Sequence, residues 1–124
     1  MRFLVVDDSG TMRRIIINTL NKLGYTECAE ATNGAEGIDR VTAGGIDFVI
    51  TDWNMPVMNG IDLVKSIRSS PASQKLPVMM VTTNAAQEDI VAAVSAGINN
   101  YVVKPFTPDT MKEKIASVLA SCGK

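Results

Sequence analysis

The stretch Phe3-Leu4-Val5-Val6-Asp7-Asp8 decides the fold, because four apolar residues run directly into two carboxylates. A continuous apolar run is typical of a strand that is buried on both faces of a parallel sheet. Carboxylates at its end contribute nothing to packing, which makes them candidates for chemistry. The stretch therefore predicts a buried strand whose carboxyl end carries a functional site.

Three further apolar runs end in polar side chains in the same way. Phe48-Val49-Ile50-Thr51 leads to Asp52, Val78-Met79-Met80-Val81 leads to Thr82-Thr83, and Tyr101-Val102-Val103 leads to Lys104-Pro105. If these runs are parallel strands, their carboxyl ends meet at one edge of the sheet, where open α/β sheets bind ligands. Acidic, hydroxyl and ammonium groups are therefore expected together at that edge.

Segments with the apolar spacing of helices lie between these runs. The first is expected from residue 12 to Gly24, the second from Asn33-Gly34 to Gly44-Gly45, and the third from Asn59-Gly60 to before Pro71. The fourth should run through residues 90–94 and end at Gly97. The fifth should begin at Thr107 as N-cap, with Pro108 in the first helical position. Residues 29–32 are expected to form a further, short strand. Strand and helix thus alternate five times, which predicts an α/β fold of the doubly wound (βα)5 type, with a five-stranded parallel sheet between helices.

The composition excludes several classes of function. The chain has 124 residues, 46% hydrophobic and 20% charged, which fits one globular domain over residues 1–124 and rules out a disordered protein. A formal net charge of -1 gives no general attraction to nucleic acid or anionic lipid. No apolar stretch approaches the roughly 20 residues of a membrane span, and the first carboxylates come too early for a signal peptide. We therefore expect a cytoplasmic protein.

Cysteine and histidine usage restricts the metal chemistry. Cys28 and Cys122 are far apart and show no paired spacing, so they are expected to be reduced thiols in packing positions. The chain has no histidine, which removes the commonest general base and the commonest transition-metal ligand. Any metal site must use oxygen ligands, and Mg²⁺ is then the natural candidate.

The three carboxylates Asp7, Asp8 and Asp52 would repel one another in one cleft unless a cation neutralised them. Mg²⁺ is usually held by one or two carboxylates together with phosphate oxygens. The trio can therefore supply metal ligands and still leave one carboxylate oxygen as a nucleophile. Taken alone, the Asp7-Asp8 pair would more often be a solvated strand end, and it is Asp52 that favours the functional interpretation.

Lys104 and Thr82 gain their interest from these neighbours. A lone lysine at a strand end is usually a solvated charge, and a threonine there usually reflects only β-propensity. Beside an acidic cleft, however, the ammonium of Lys104 can neutralise a phosphoryl oxygen. Because side chains alternate across a strand, only one hydroxyl of Thr82 and Thr83 should face the cleft.

Four motifs resemble those of the receiver domains of bacterial two-component response regulators. They are Val5-Val6-Asp7-Asp8, Thr51-Asp52-Trp53-Asn54-Met55-Pro56, Val81-Thr82 and Val103-Lys104-Pro105-Phe106. The similarity runs over essentially the whole chain, and Thr11-Met12-Arg13-Arg14 resembles the single-domain chemotaxis regulators of the family in particular. The resemblance implies the flavodoxin-like strand order 2-1-3-4-5.

The resemblance also implies a role for each site residue. Asp52 would be the phosphoacceptor, and Lys104 with the hydroxyl of Thr82 would contact the phosphoryl oxygens. Mg²⁺ would be held by Asp8, Asp52 and the backbone carbonyl of Asn54, with Asp7 acting largely through bound water. Tyr101 would be the switch aromatic that turns inward when Thr82 is drawn toward the phosphoryl group. The Lys104-Pro105 bond is expected to be cis, as in the family.

The partners follow from the same resemblance. The phosphoryl donor would be a histidine kinase (CheA-like), because a chain without histidine needs a donor on another molecule. The target would be a flagellar motor switch protein (FliM-like), and a phosphatase is a further possible partner. Activity would be confined to the chain's own phosphorylation and dephosphorylation, and we expect a monomer that binds neither nucleic acid nor membrane.

Four positions depart from the best-known enteric relatives. Ser9 stands where they have phenylalanine and Asn84 where they have glutamate, and both positions bear on phosphatase recognition and phosphoryl lifetime. Ala86 and Gln87 replace basic residues on the presumed fourth helix. The output surface formed by the fourth helix, fifth strand and fifth helix therefore carries different charges.

Three other functions compete with a motor-binding switch. A stand-alone receiver could drain or relay phosphate to another target. A Mg²⁺-dependent phosphatase with an aspartyl-phosphate intermediate usually has a second acid two residues after its nucleophile, where this chain has Asn54. A flavin-binding flavodoxin-like protein would need a phosphate loop after the first strand, for which only Ser9-Gly10-Thr11 is available.

Overall fold

A computed structural model describes residues 1–53, 55, 57–83, 87–104 and 106–121. Strands and helices alternate five times. The strands are β1 (Arg2–Val6), β2 (Glu27–Ala31), β3 (Phe48–Asp52), β4 (Val78–Thr82) and β5 (Asn100–Val103). The helices are α1 (Gly10–Lys22), α2 (Gly34–Ala43), α3 (Gly60–Ser69), α4 (Gln87–Ala96) and α5 (Pro108–Ser121). The predicted strand and helix alternation is confirmed.

The five strands form one parallel sheet in the order β2-β1-β3-β4-β5. Strands β1, β3 and β4 lie inside the sheet, and β1 and β4 are almost wholly buried along their length. This explains why their sequences are uninterrupted apolar runs. The strand order implied by the resemblance is therefore confirmed.

Two apolar cores cover the two faces of the sheet. One joins the sheet to α1 and α5 through Ile16, Leu20, Met111, Ile115 and Val118. The other joins it to α2, α3 and α4, with Leu63, Val64, Ile67 and Ala93 as its buried helix residues. Each face buries several large aliphatic side chains, worth about 1.5–3 kcal/mol apiece before entropy is counted. The helices packed on the two faces of the sheet thus fix the edge at which the polar strand ends lie.

Short polar caps begin three of the helices at this edge. The side-chain oxygens of Ser9, Asn33 and Asn59 accept hydrogen bonds from the backbone N–H groups of Met12, Glu36 and Asp62, at 2.9–3.2 Å. Thr107 caps α5 in the same way, since its hydroxyl accepts from the N–H of Thr110 at 3.2 Å. Each cap satisfies an N–H that the helix itself leaves unpaired and fixes where the helix starts.

The structure differs from the sequence predictions mainly at the edge strands. Strand β2 begins at Glu27, two residues before the predicted start, and β5 begins at Asn100. Both strands are partly exposed, so their side chains do not form continuous apolar runs. The predicted stop after α1 is confirmed, because Gly24 has a φ of +97°.

Cys28 is partly buried, whereas Cys122 and the Lys104-Pro105 bond fall outside the described residues. Within the described chain, no helix is long and apolar enough to cross a membrane.

Candidate functional site

The carboxyl ends of four strands meet at one edge of the sheet, as the sequence predicted. Asp7 and Asp8 follow β1, Asp52 ends β3, Thr82 ends β4, and Lys104 follows β5. The carboxylate oxygens of Asp7, Asp8 and Asp52 can lie within 4.8 Å of one another. The structure therefore brings the three carboxylates and the ammonium group together, with Thr82 at the same edge of the sheet. The backbone carbonyl of Asn54 lies outside the described residues.

Asp7 is the buried member of the acidic trio, with only 1% of its surface exposed. Its N–H donates to the carbonyl of Ala31 at 3.1 Å, which extends the β1–β2 pairing by one residue. Its Oδ1 accepts from the N–H of Ser9 at 2.9 Å, and its Oδ2 lies 3.4 Å from Nζ of Lys104. These contacts fix the carboxylate, so Asp7 has little freedom to move toward a ligand.

Burial raises the pKa of the Asp7 carboxyl, since the charged form loses hydration. The hydrogen bond from Ser9 and the charge of Lys104 lower this pKa, while the charge of Asp52 raises it. The net direction is upward from the ordinary value of 3.8. The ionised form of Asp7 is therefore less favourable in the folded chain than in water when no cation is bound.

Asp52 differs from Asp7 in being accessible, with 14% of its side chain exposed. Its Oδ1 accepts a hydrogen bond from the N–H of Trp53 at 2.8 Å and lies 3.3 Å from Nζ of Lys104. Asp8 is exposed at the mouth of the same cleft. The trio thus offers one buried, one partly exposed and one exposed carboxylate, all with hard oxygen donors that suit Mg²⁺.

Lys104 is held over the carboxylates by the backbone. Its N–H donates to the carbonyl of Thr82 at 2.8 Å and continues the β4–β5 pairing beyond Val103. Its ammonium group lies 3.3 Å from Asp52 and 3.4 Å from Asp7, with only 13% of the side chain exposed. It therefore places a positive charge directly beside Asp52.

Thr82 and Tyr101 lie on the same face of the sheet. Thr82 is buried whereas Thr83 is exposed, so the two threonines lie in different environments, and the prediction that one hydroxyl faces the cleft stays a prediction. In the β4–β5 register, Met80 pairs with Tyr101 and Thr82 pairs with Val103. Because alternate residues share a face, Tyr101 is the diagonal neighbour of Thr82. The ring of Tyr101 packs on the core beneath α3 and α4, and Nζ of Lys114 lies 5.1 Å from its centroid.

Two further residues hold the site, although the sequence predicted no role there for either of them. Arg13 donates through Nη1 to the carbonyl of Asp7 at 2.6 Å, and Gly60 packs against the backbone of Asp52. A signal existed for Arg13, because it stands one helical turn after the N-cap Ser9 and so lies back over the strand end. For Gly60 the sequence indicated only a helix start.

The burial of Asp7 leads to a stability prediction. Replacing Asp7 with asparagine should raise the free energy of unfolding at pH 7 without metal by about 1 kcal/mol, since the amide keeps the acceptor for Ser9 and carries no charge. A raised folded pKa means that wild-type stability is lost as the pH rises through that pKa, so the gain should shrink as the pH falls toward 3.8. Urea unfolding at several pH values in EDTA measures this. An Asp7→Asn variant no more stable than wild type at pH 7, or a gain equal to that of exposed Asp39→Asn, would contradict it.

The chain matches the response regulator receiver domain family over residues 3–116. It is 50% identical over 122 residues to the chemotaxis protein CheY1 of Helicobacter pylori, covering 98% of each chain. The chemotaxis protein CheY homolog of Campylobacter jejuni is 49% identical, with 98% of this chain and 94% of that one covered. Chemotaxis proteins of two organisms are therefore similar to this chain over nearly its whole length.

Solved structures show the same relationship. The chemotaxis response regulator CheY4 of Vibrio cholerae has a TM-score of 0.88 at 34% identity, over 95% of this chain and 98% of that one. A CheY-like receiver domain protein of Methanospirillum hungatei has a TM-score of 0.87 at 27% identity, over 98% and 95%. With the fold, the sequence match and the acidic edge in agreement, the chain belongs to the response regulator receiver domain family.

Proposed function

We propose that this chain is the phosphoacceptor response regulator of a two-component system that controls chemotaxis. Asp52 accepts a phosphoryl group from a histidine kinase (CheA-like), and the phosphorylated form binds a flagellar motor switch protein (FliM-like). The observation that carries the proposal is the partly exposed Asp52 carboxylate, 3.3 Å from the ammonium of Lys104 and beside two further carboxylates. The 50% sequence identity to CheY1 of Helicobacter pylori supports the chemotaxis assignment.

Three side chains would hold the metal. Asp8 and Asp52 would bind Mg²⁺ with their carboxylate oxygens, together with the backbone carbonyl of Asn54, and Asp7 would act largely through water. The donor set fits a hard cation, because oxygen atoms from three carboxylates can approach within 4.8 Å. When bound, Mg²⁺ supplies positive charge that offsets the carboxylates and the phosphoryl oxygens.

The reaction then needs little covalent chemistry from the protein. An oxygen of Asp52 attacks the phosphorus of the donor, and the bond from phosphorus to the donor nitrogen breaks. Lys104 neutralises charge on the transferred group, which is where most of the catalysis of phosphoryl transfer lies. Hydrolysis of the acyl phosphate returns the carboxylate. The chain therefore acts on its own phosphorylation state and turns over no other substrate.

Phosphorylation changes the neighbours of Asp52 and so biases a two-state element. The new phosphoryl oxygens attract Lys104 away from Asp7 and draw in the hydroxyl of Thr82. Tyr101 follows, since it is the diagonal neighbour of Thr82 on the same sheet face. The target binds the surface formed by α4, β5 and α5, which carries this change. The protein works as a cytoplasmic monomer in this scheme.

Binding to the motor switch tests the proposal. A pull-down with a FliM-like protein should show binding that is about tenfold tighter with BeF₃⁻ and Mg²⁺ than without them, the range expected of a two-state coupling. The Asp52→Asn variant is the matched control and should show no response to BeF₃⁻. Equal binding in both states would contradict the motor assignment. Sustained turnover of small phosphate esters would instead support a phosphatase.

A further inference from the structure

The side chain of Arg13 ties three elements together at the acidic edge. From α1, its Nη1 donates to the backbone carbonyl of Asp7 at 2.6 Å, and its Nε donates to Oε1 of Glu30 on β2 at 2.9 Å. Only 17% of the Arg13 side chain is exposed, against 53% for Glu30. We propose that Arg13 is a positioning residue that holds the turn carrying Asp7 and Asp8 in the geometry that binds the divalent cation. This inference rests on the proposed function.

The hydrogen bond to Asp7 completes the fixing of that residue. The N–H of Asp7 is paired with Ala31, and its carboxylate is held by Ser9 and Lys104. The carbonyl is the remaining backbone group, and Arg13 is its donor. Hydrogen bonds from a guanidinium are shorter and stronger than neutral ones, in agreement with the 2.6 Å distance.

The hydrogen bond from Arg13 to the carbonyl of Asp7 also fixes the backbone position of Asp8. The carbonyl of Asp7 and the N–H of Asp8 belong to one planar peptide unit, so fixing the carbonyl also fixes the direction in which the chain reaches the Cα of Asp8. Asp8 is exposed and therefore depends on its backbone for its position. Glu30 in turn keeps the guanidinium in place, because its carboxylate accepts from Nε while Nη1 donates to Asp7.

Arg13 has two opposing effects on cation binding. Its positive charge near the carboxylates repels a divalent cation, so its removal should tighten binding by electrostatics alone. Its hydrogen bond preorganises the ligands, and removal of such outer contacts typically weakens metal affinity by about 10–100-fold. The sign of the change therefore separates the two roles.

Arg14 provides a matched control. It is the next residue on α1, carries the same charge and is exposed, and its side chain makes no hydrogen bond or ion pair with the rest of the described chain. Arg14→Met should bind Mg²⁺ as tightly as wild type or slightly more tightly. Arg13→Met should bind about tenfold more weakly, although both variants lose one positive charge.

Calorimetric titration of the metal-free protein with Mg²⁺ at constant ionic strength measures both affinities, and unfolding in EDTA establishes that each variant is folded. Arg13→Lys is the second variant, should the methionine variant fail to fold. It keeps the charge but loses the planar fork that reaches two partners, so it should bind Mg²⁺ several-fold more weakly than wild type. Folded Arg13 variants that bind as tightly as wild type would overturn the role of Arg13 alone. A wild type that binds no Mg²⁺ would overturn the proposed function, and this inference with it.

Discussion

Asp52→Asn should abolish phosphorylation of this chain by acetyl phosphate and Mg²⁺. The variant keeps the shape of the side chain and an acceptor for the N–H of Trp53, but the amide is not a nucleophile. Loss of a nucleophile typically costs catalysis on the order of 10⁴-fold or more, so no phosphorylated product should be seen. Intact-protein mass spectrometry measures it, with wild type expected to gain one phosphoryl group.

The control for this experiment is Asp39→Asn, which changes an exposed aspartate on α2, outside the acidic edge. It should be phosphorylated at the wild-type rate. Labelling of Asp52→Asn to the wild-type extent would end the assignment of Asp52 as phosphoacceptor. Loss of labelling in both variants would mean that net charge, and not the nucleophile, controls the reaction.

Gly60→Ala should strongly disturb the fold near the site. Gly60 is the first residue of α3, and its N–H donates to the carbonyl of Trp53 at 2.8 Å. A Cβ at this position would overlap the backbone carbonyl oxygen of Asp52, and it would also meet Cε of Met80 at 3.1 Å. Backbone atoms cannot move aside as a side-chain end can, so either α3 or Asp52 must shift.

We expect Gly60→Ala to lose about 3 kcal/mol of unfolding free energy, as overpacked sites do. The folded fraction should be phosphorylated about 10²-fold more slowly, since displacement of a nucleophile by 1 Å has effects of this size. Urea unfolding and the rate of labelling by acetyl phosphate measure the two changes.

Gly10→Ala is the matched control, because Gly10 is likewise the first residue of a helix but its Cβ would meet only the end of Arg13, at 3.4 Å. It should be as stable as wild type or gain up to about 1 kcal/mol. A Gly60→Ala variant with the stability and rate of wild type would contradict the close approach of α3 to Asp52.

The fold could be predicted largely because its central strands are buried on both faces. Strands β1 and β4 show burial along almost their whole length, and such strands leave continuous apolar runs in the sequence. The start of β2 was less well predicted. It is an edge strand in which Glu27 and Glu30 are exposed, so its pattern is mixed and resembles a loop.

The convergence of Asp7, Asp52 and Lys104 was predictable for a topological reason. Parallel strands bring their carboxyl ends to one edge whatever the loops between them do. The contacts of Arg13 and Gly60 were not predictable in this way, because they depend on how α1 and α3 pack on the strand ends. Asn54 and Pro105 lie outside the described residues, so the carbonyl ligand and the cis bond remain predictions.

The pairing of β4 with β5 adds something that the sequence motifs lack. Motif matching associates Thr82 and Tyr101 only through the family, whereas the register makes them diagonal neighbours on one face of the sheet. A movement of Thr82 toward Asp52 therefore changes the packing next to the Tyr101 ring directly. In the proposed switch, Thr82 and Tyr101 are therefore connected by direct packing within the sheet.

Chemical mapping can show which aspartate carries the phosphoryl group. Borohydride reduces an aspartyl phosphate to homoserine, so wild-type protein treated with acetyl phosphate, Mg²⁺ and then borohydride is digested and sequenced by mass spectrometry. We expect homoserine at position 52 and unmodified aspartate at positions 7 and 8. Homoserine at position 7 or 8, or at no aspartate of a protein that had gained a phosphoryl group, would contradict it.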